Sequence, residues 1–288
     1  MAEPARHLPL PPDEDLDDET SEPAVLQRWV ERPGGRLELV EMPLTPELFL
    51  DPQLEDKMVQ GRLHGEVTHD LAGLLKTYLR TKRDDVVVLW DVKHYLVPGL
   101  PAPAPDVSVI YGIYSKDFEE KPDSFDVAKE GVRPSLVIEV VSPKSARIRR
   151  TDKVDKVELY QIAGISEYLI LDPPRRKTRY RYEWTGYRLD DRGFYSLIEP
   201  RADGSLFSET TGLSFTVSPR GERYYILDEN GHPLLSHEET DKAWKAEKEA
   251  RKKEEEARRA AEEKAAQADA ELARVRNELE RLKKSSLS

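Results

Sequence analysis

Residues 136–173, LVIEVVSPKSARIRRTDKVDKVELYQIAGISEYLILDP, constrain this chain more than any other stretch. In the opening apolar run, Val137, Glu139 and Val141 alternate with Leu136, Ile138 and Val140. Successive side chains of a strand point to opposite faces, so both faces here are apolar. That pattern predicts a central strand covered on both sides. A helix is expected over residues 151–163, ended by Gly164. It sets Asp152, Lys156 and Tyr160 on one face at spacings of four. A second apolar strand over residues 167–171 closes at Asp172-Pro173. An ionised glutamate among Leu, Val and Ile is costly unless it is protonated, paired or metal-bound. Glu139 is therefore half of a structural ion pair or part of a site.

The flanking pattern supplies the rest of a domain. Thr45-Pro46-Glu47 reads as a helix start. Val67, Leu71, Leu74, Leu75 and Tyr78 recur at helical spacing across residues 65–80. Strands are expected over 85–92, 94–97, 106–111 and 135–141, then over 178–184, 186–190, 195–199, 213–217 and 224–227. The plan is α/β or α+β with a mixed sheet flanked by helices. It spans residues 44–237.

The two ends differ in kind. Residues 1–43 are acidic and proline-rich and read as a disordered segment, with one short helix near 23–30. Residues 238–288 read as a long charged helix. In it Ala261, Ala265, Ala268, Leu272, Val275, Leu279 and Leu282 alternate spacings of four and three. That is the seam of a coiled coil and would make a homodimer. A solvated single helix held by ion pairs is the alternative.

Composition excludes several classes. With no cysteine among 288 residues there is no disulfide framework, zinc–thiolate site or cysteine nucleophile. No apolar run approaches the roughly 20 residues of a membrane span, and no signal-peptide pattern opens the chain. A cytoplasmic protein is expected. The net charge of −11 argues against broad, non-specific grip on nucleic acid. Residues 144–156 are nonetheless locally basic, with Lys144, Arg147, Arg149, Arg150, Lys153 and Lys156 against Asp152 and Asp155.

A second acid sits at the start of an earlier strand. Asp106 follows Pro105, a residue confined to strand starts and edges. Asp106, Glu139 and Lys156 around one cleft would suit metal-assisted phosphodiester hydrolysis. Mg²⁺ takes one or two carboxylates plus waters and substrate phosphate. A lysine can orient the attacking water or neutralise developing charge.

At these residues the chain resembles the Uma-type (Uma-two) restriction endonuclease family of the PD-(D/E)XK nuclease superfamily. The resemblance rests on Ala104-Pro105-Asp106-Val107 and Ile138-Glu139-Val140-Val141-Ser142-Pro143. It continues through Asp152, Lys156 and Tyr160, then Gly164, Glu167-Tyr168 and Asp172-Pro173. It implies a restriction-endonuclease-like fold and an endonuclease site using Mg²⁺, with Mn²⁺ as substitute, acting on DNA. Asp106 and Glu139 would be metal ligands and Lys156 the catalytic lysine. Val141 stands where the superfamily usually carries its lysine, and Lys156 on the next helix takes that place. The family's polar residue near the start of the first helix would be Glu66 or His69. Asp91, Asp152 and Tyr160 would support the site. A rival reading keeps the fold without catalysis, as a scaffold that recruits partners through the charged C-terminal helix.

Overall fold

The computed structural model describes residues 24–58, 61–114, 118, 122–142, 146–174 and 180–236, with positions 239, 248, 249 and 253. The chain divides into two compact units, Met1–Leu234 and Leu235–Ser288. In the second unit Glu239, Lys248, Glu249 and Lys253 are helical. The Ala261 to Leu282 seam lies outside the described residues, as do residues 1–23. No helix among the described residues is long and apolar enough to cross a membrane.

Residues 24–43 correct the expectation of disorder and of a short helix. They form an antiparallel hairpin, β1 (Val25–Arg32) and β2 (Arg36–Pro43), pairing Arg32 with Arg36 across Pro33-Gly34-Gly35. Both glycines take positive φ, which the tight loop requires. The hairpin stands largely in solvent and so lacks the apolar-in, polar-out alternation of a core strand. It is followed by α1 (Pro46–Leu50), whose N-cap Thr45 accepts the Leu48 amide, and by β3 (Asp56–Met58), which pairs with β1.

A long helix, α2 (Arg62–Lys82), then leads into β4 (Val86–Leu89), β5 (Lys93–Tyr95), β6 (Val107–Tyr111), β7 (Ser124–Asp126), α3 (Val127–Glu130) and β8 (Pro134–Val140). The next helix is not uniform. It runs as α4 (Ala146–Arg150), a π-helical turn (Thr151–Asp155) and α5 (Lys156–Ile162). The strands after it are β9 (Glu167–Asp172), β10 (Glu183–Leu189), β11 (Tyr195–Leu197), β12 (Leu206–Phe207), β13 (Ser214–Val217) and β14 (Tyr224–Leu227).

Six strands form the central mixed sheet in the order β11-β10-β9-β8-β6-β4. Only β8 and β9 pair in parallel there; the helical segment between them is their crossover. Strand β8 is buried on both faces, as its sequence requires. Leu136, Ile138 and Val140 pack toward Val67, Leu71 and Leu75 of α2. Val137 and Val141 pack toward Val157 and Tyr160 of α5. Leu71 and Leu75 are fully buried, so truncating either to Ala costs about 2–5 kcal/mol. Glu139 shares the parity of Val137 and Val141, so its carboxylate is delivered to the α5 side.

One further expectation changes. In place of separate strands over 178–184 and 186–190 there is one, β10, with Gly186 inside it, where a Cβ would meet Leu169 Cδ2 at 2.7 Å. Gln161 Oε1 accepts the Tyr195 amide at 2.7 Å and ties α5 to β11.

Candidate active site

The register of β6 against β8 pairs Val107 with Ile138, which brings Asp106 alongside Glu139. Asp106 Oδ2 accepts the Val140 amide at 2.7 Å, fixing the first acid to the backbone of the second acid's strand. From the crossover, Lys156 Nζ sits 2.9 Å from Glu139 Oε2 and 2.9 Å from Asp152 Oδ1. Tyr160, one turn further on, donates its hydroxyl to Glu139 Oε1 at 2.7 Å. Sequence spacing put Asp152, Lys156 and Tyr160 on one helix face; the structure turns that face onto Glu139. The π-turn lies between Arg150 and Lys156, a feature often found at functional sites.

The cluster is closed. Glu139, Asp152 and Lys156 are each 1% exposed and Asp106 is 5% exposed. Phe49 of α1 lies over the lysine, with Nζ 4.1 Å from the ring centroid. Tyr168 of β9 donates to the Asp152 carbonyl at 2.7 Å. A neighbouring buried pair, Lys153 Nζ to Asp172 Oδ2 at 2.8 Å, fastens the π-turn to the end of β9.

Of the polar residues of α2, neither Glu66 nor His69 is brought to the cluster. Glu66 is exposed and pairs with Arg62 at 3.4 Å. His69 is exposed, edge-on to Trp90. His64 instead reaches the site, with Nε2 3.2 Å from Asp106 Oδ2. Its signal was present in the sequence: His64 precedes Val67 and Leu71 by three and seven residues, on the apolar stripe of α2. Asp91 is exposed at φ 54°, its amide bonded to the Pro105 carbonyl at 3.1 Å, and its charge acts on His64. Phe49 carried no motif at all.

Charge is crowded here. Burial, together with Asp106 and Asp152, pushes the Glu139 carboxyl up to about 8, against the pull of Lys156 and Tyr160. Burial raises Asp152 to about 6, again opposed by Lys156. Burial would lift Asp106 as well, but His64, Lys156 and the Val140 amide hold it below the ordinary aspartate value. Burial works against the His64 cation, yet Asp106 raises it to about 9. Lys156 is raised despite burial because three carboxylates surround it. Raised to about 8, the Glu139 carboxyl keeps its proton near neutral pH. Among the described residues no group of three or more His, Cys, Asp or Glu side chains is arranged to hold a metal. The donor set nearest that role is the Asp106 and Glu139 carboxylates, hard oxygens of the kind and number Mg²⁺ takes from protein.

The Uma2 family, described as "Putative restriction endonuclease", matches residues 35–219, well over half of the chain. The chain belongs to this family. A solved structure from Anabaena variabilis, titled a "putative nuclease belonging to DUF820", is similar at 17% identity and a TM-score of 0.35. The match covers 63% of this chain and 80% of that one. No curated protein matches the chain.

Proposed function

We propose that this protein is a metal-dependent endonuclease that hydrolyses phosphodiester bonds of nucleic acid, DNA first among them. The observation that carries the reading is the convergence of Asp106, Glu139 and Lys156, from two adjacent strands and the crossover helix, on one buried cluster. Asp106 and Glu139 would hold Mg²⁺, or Mn²⁺ in its place. The bound ion supplies phosphate polarisation and a water of lowered pKa. Lys156 keeps its positive charge beside Glu139 and Asp152 and would neutralise charge developing on a phosphate oxygen. Asp152 positions that ammonium from one turn away. Tyr160 orients Glu139, and His64 with the Val140 amide orients Asp106.

The test is incubation of the purified full chain with plasmid DNA, single-stranded DNA and RNA, with Mg²⁺, Mn²⁺ or EDTA. Metal-dependent cleavage of DNA that disappears in Asp106→Asn and Lys156→Ala is expected. Cleavage that persists in both variants would remove the site assignment. No cleavage in wild type, with no Mn²⁺ binding by calorimetry, would leave the silent-scaffold reading, which the closure of the cluster favours. A homodimer through the C-terminal helix belongs to the same proposal. Removing residues 238–288 should halve the solution mass per particle beyond the loss of the segment itself; an unchanged assembly state would count against it.

A further inference from the structure

We infer that α1, carrying Phe49, is a lid over the acid–lysine cluster, and that nucleic acid reaches Lys156 only when this lid opens. The inference rests on the proposed function, and it deepens it by naming the side from which substrate enters. A phosphodiester within a polymer cannot reach groups that are 1–5% exposed, so some part of the cover must move.

Of the elements around the cluster, α1 is the one with least to lose. The strands β6 and β8 belong to the central sheet, and α5 is anchored by fully buried Val157 and Tyr160. The five residues of α1 include none that is buried, and the helix lies against α4 and the π-turn. Local opening free energy follows the apolar burial that must be given up, so α1 opens before its neighbours. Phe49 supplies the closing contact, its ring face over the Lys156 ammonium. A latch sits at the C-terminal end of the helix. Lys93 Nζ of β5 bonds Asp51 Oδ1 at 2.7 Å and the Pro52 carbonyl at 2.6 Å. Because Lys93 is largely buried and Asp51 half exposed, the latch is released from the solvent side.

Two readouts test this. Hydrogen exchange on the full chain should show the Phe49 and Asp51 amides, bonded to Thr45 and Glu47 carbonyls, opening independently of β8 and β9. Asp51→Ala should speed these two at least about ten-fold and leave the sheet amides unchanged. Exchange of α1 together with the sheet, in wild type and variant alike, would overturn the lid. The second readout uses the absence of native cysteine. In Asp51→Cys/Lys93→Cys, a short bis-maleimide bridges the latch, while singly capped thiols leave it open. Bridged protein should lose at least about ten-fold in Mn²⁺-dependent DNA cleavage relative to capped protein. Equal cleavage by both forms would overturn the lid. If neither form nor the wild type cleaves, the nuclease reading fails, and the exchange result alone decides whether α1 opens.

Discussion

Two glutamates lie buried on the parallel strands β8 and β9, and their surroundings could hardly differ more. Glu167 is completely buried and surrounded by donors. Arg188 reaches Oε1 with Nε and an amino group, both at 2.9 Å. The Ser208 and Thr210 hydroxyls bond Oε2 at 2.5 and 2.7 Å, and the Glu209 amide bonds Oε1 at 2.9 Å. Glu139 has one hydroxyl and one ammonium, and it shares the ammonium with Asp152 while Asp106 stands alongside. A carboxylate whose lone pairs are all met by donors fastens structure together; here Glu167 clamps residues 208–210 to the sheet. A carboxylate crowded by like charge is held short of full ionisation, a condition kept where chemistry needs it.

Substitution should separate the two most sharply. Glu167→Ala leaves the Ser208 and Thr210 hydroxyls and the Glu209 amide without their acceptor, so it should cost about 3–5 kcal/mol in denaturant titration. The fraction that folds should still cleave. Glu139→Gln removes a carboxyl that burial penalises, so it should leave the unfolding midpoint unchanged or higher. Its cleavage should fall about 10²–10³-fold. Equal loss of stability in the two variants would erase the distinction.

Titration should divide them next. His64 has a folded value of about 9 against an ordinary 6.5, so its pairing with Asp106 stabilises fully below pH 6.5. That stabilisation is lost as pH rises through about 9. Glu139, raised from 4.5 to about 8, binds a proton in the folded state that the unfolded chain has released. Its contribution therefore also falls as pH rises across that window. Wild-type stability should decline from pH 6.5 to 9, and His64→Gln and Glu139→Gln should each flatten the slope. A slope unchanged in both variants would show that the cluster does not titrate there. His64→Gln should also lower cleavage about 10- to 100-fold, as loss of a residue orienting a metal ligand does.

The smallest effect is in proton counting. Cation binding beside Glu139 should expel the proton that its raised carboxyl holds near pH 7. Mn²⁺ calorimetry in two buffers of different ionisation enthalpy should then give different apparent heats. Identical heats, with binding intact, would mean the carboxylates bind already ionised.

The three central residues are legible because each carries a local signal. Glu139 interrupts a run apolar on both faces, Asp106 follows a proline at a strand start, and Lys156 follows Asp152 by one turn. His64 is in register with the core stripe of α2, whereas the helix turns Glu66 and His69 to solvent. Phe49 was invisible, since a contact between residues 107 positions apart leaves no periodic trace. The π-turn was equally hidden: its ties to β9, from Tyr168 to the Asp152 carbonyl and from Lys153 to Asp172, are long-range and leave no periodic trace. The β1–β2 hairpin failed for the opposite reason. Its strands stand in solvent, so their mixture of charge and apolar residues matched disorder as well as sheet. The larger framework was legible because β4, β6, β8 and β9 are buried on both faces and read as continuous apolar runs.

The most direct measurement is Mn²⁺-dependent cleavage of plasmid DNA by Glu139→Gln and Glu167→Gln, each normalised to folded protein. Loss of cleavage in Glu139→Gln, with retention in Glu167→Gln, is the predicted result. Cleavage by Glu139→Gln at the wild-type rate would contradict the assignment of a hydrolytic centre to the Asp106, Glu139 and Lys156 cluster.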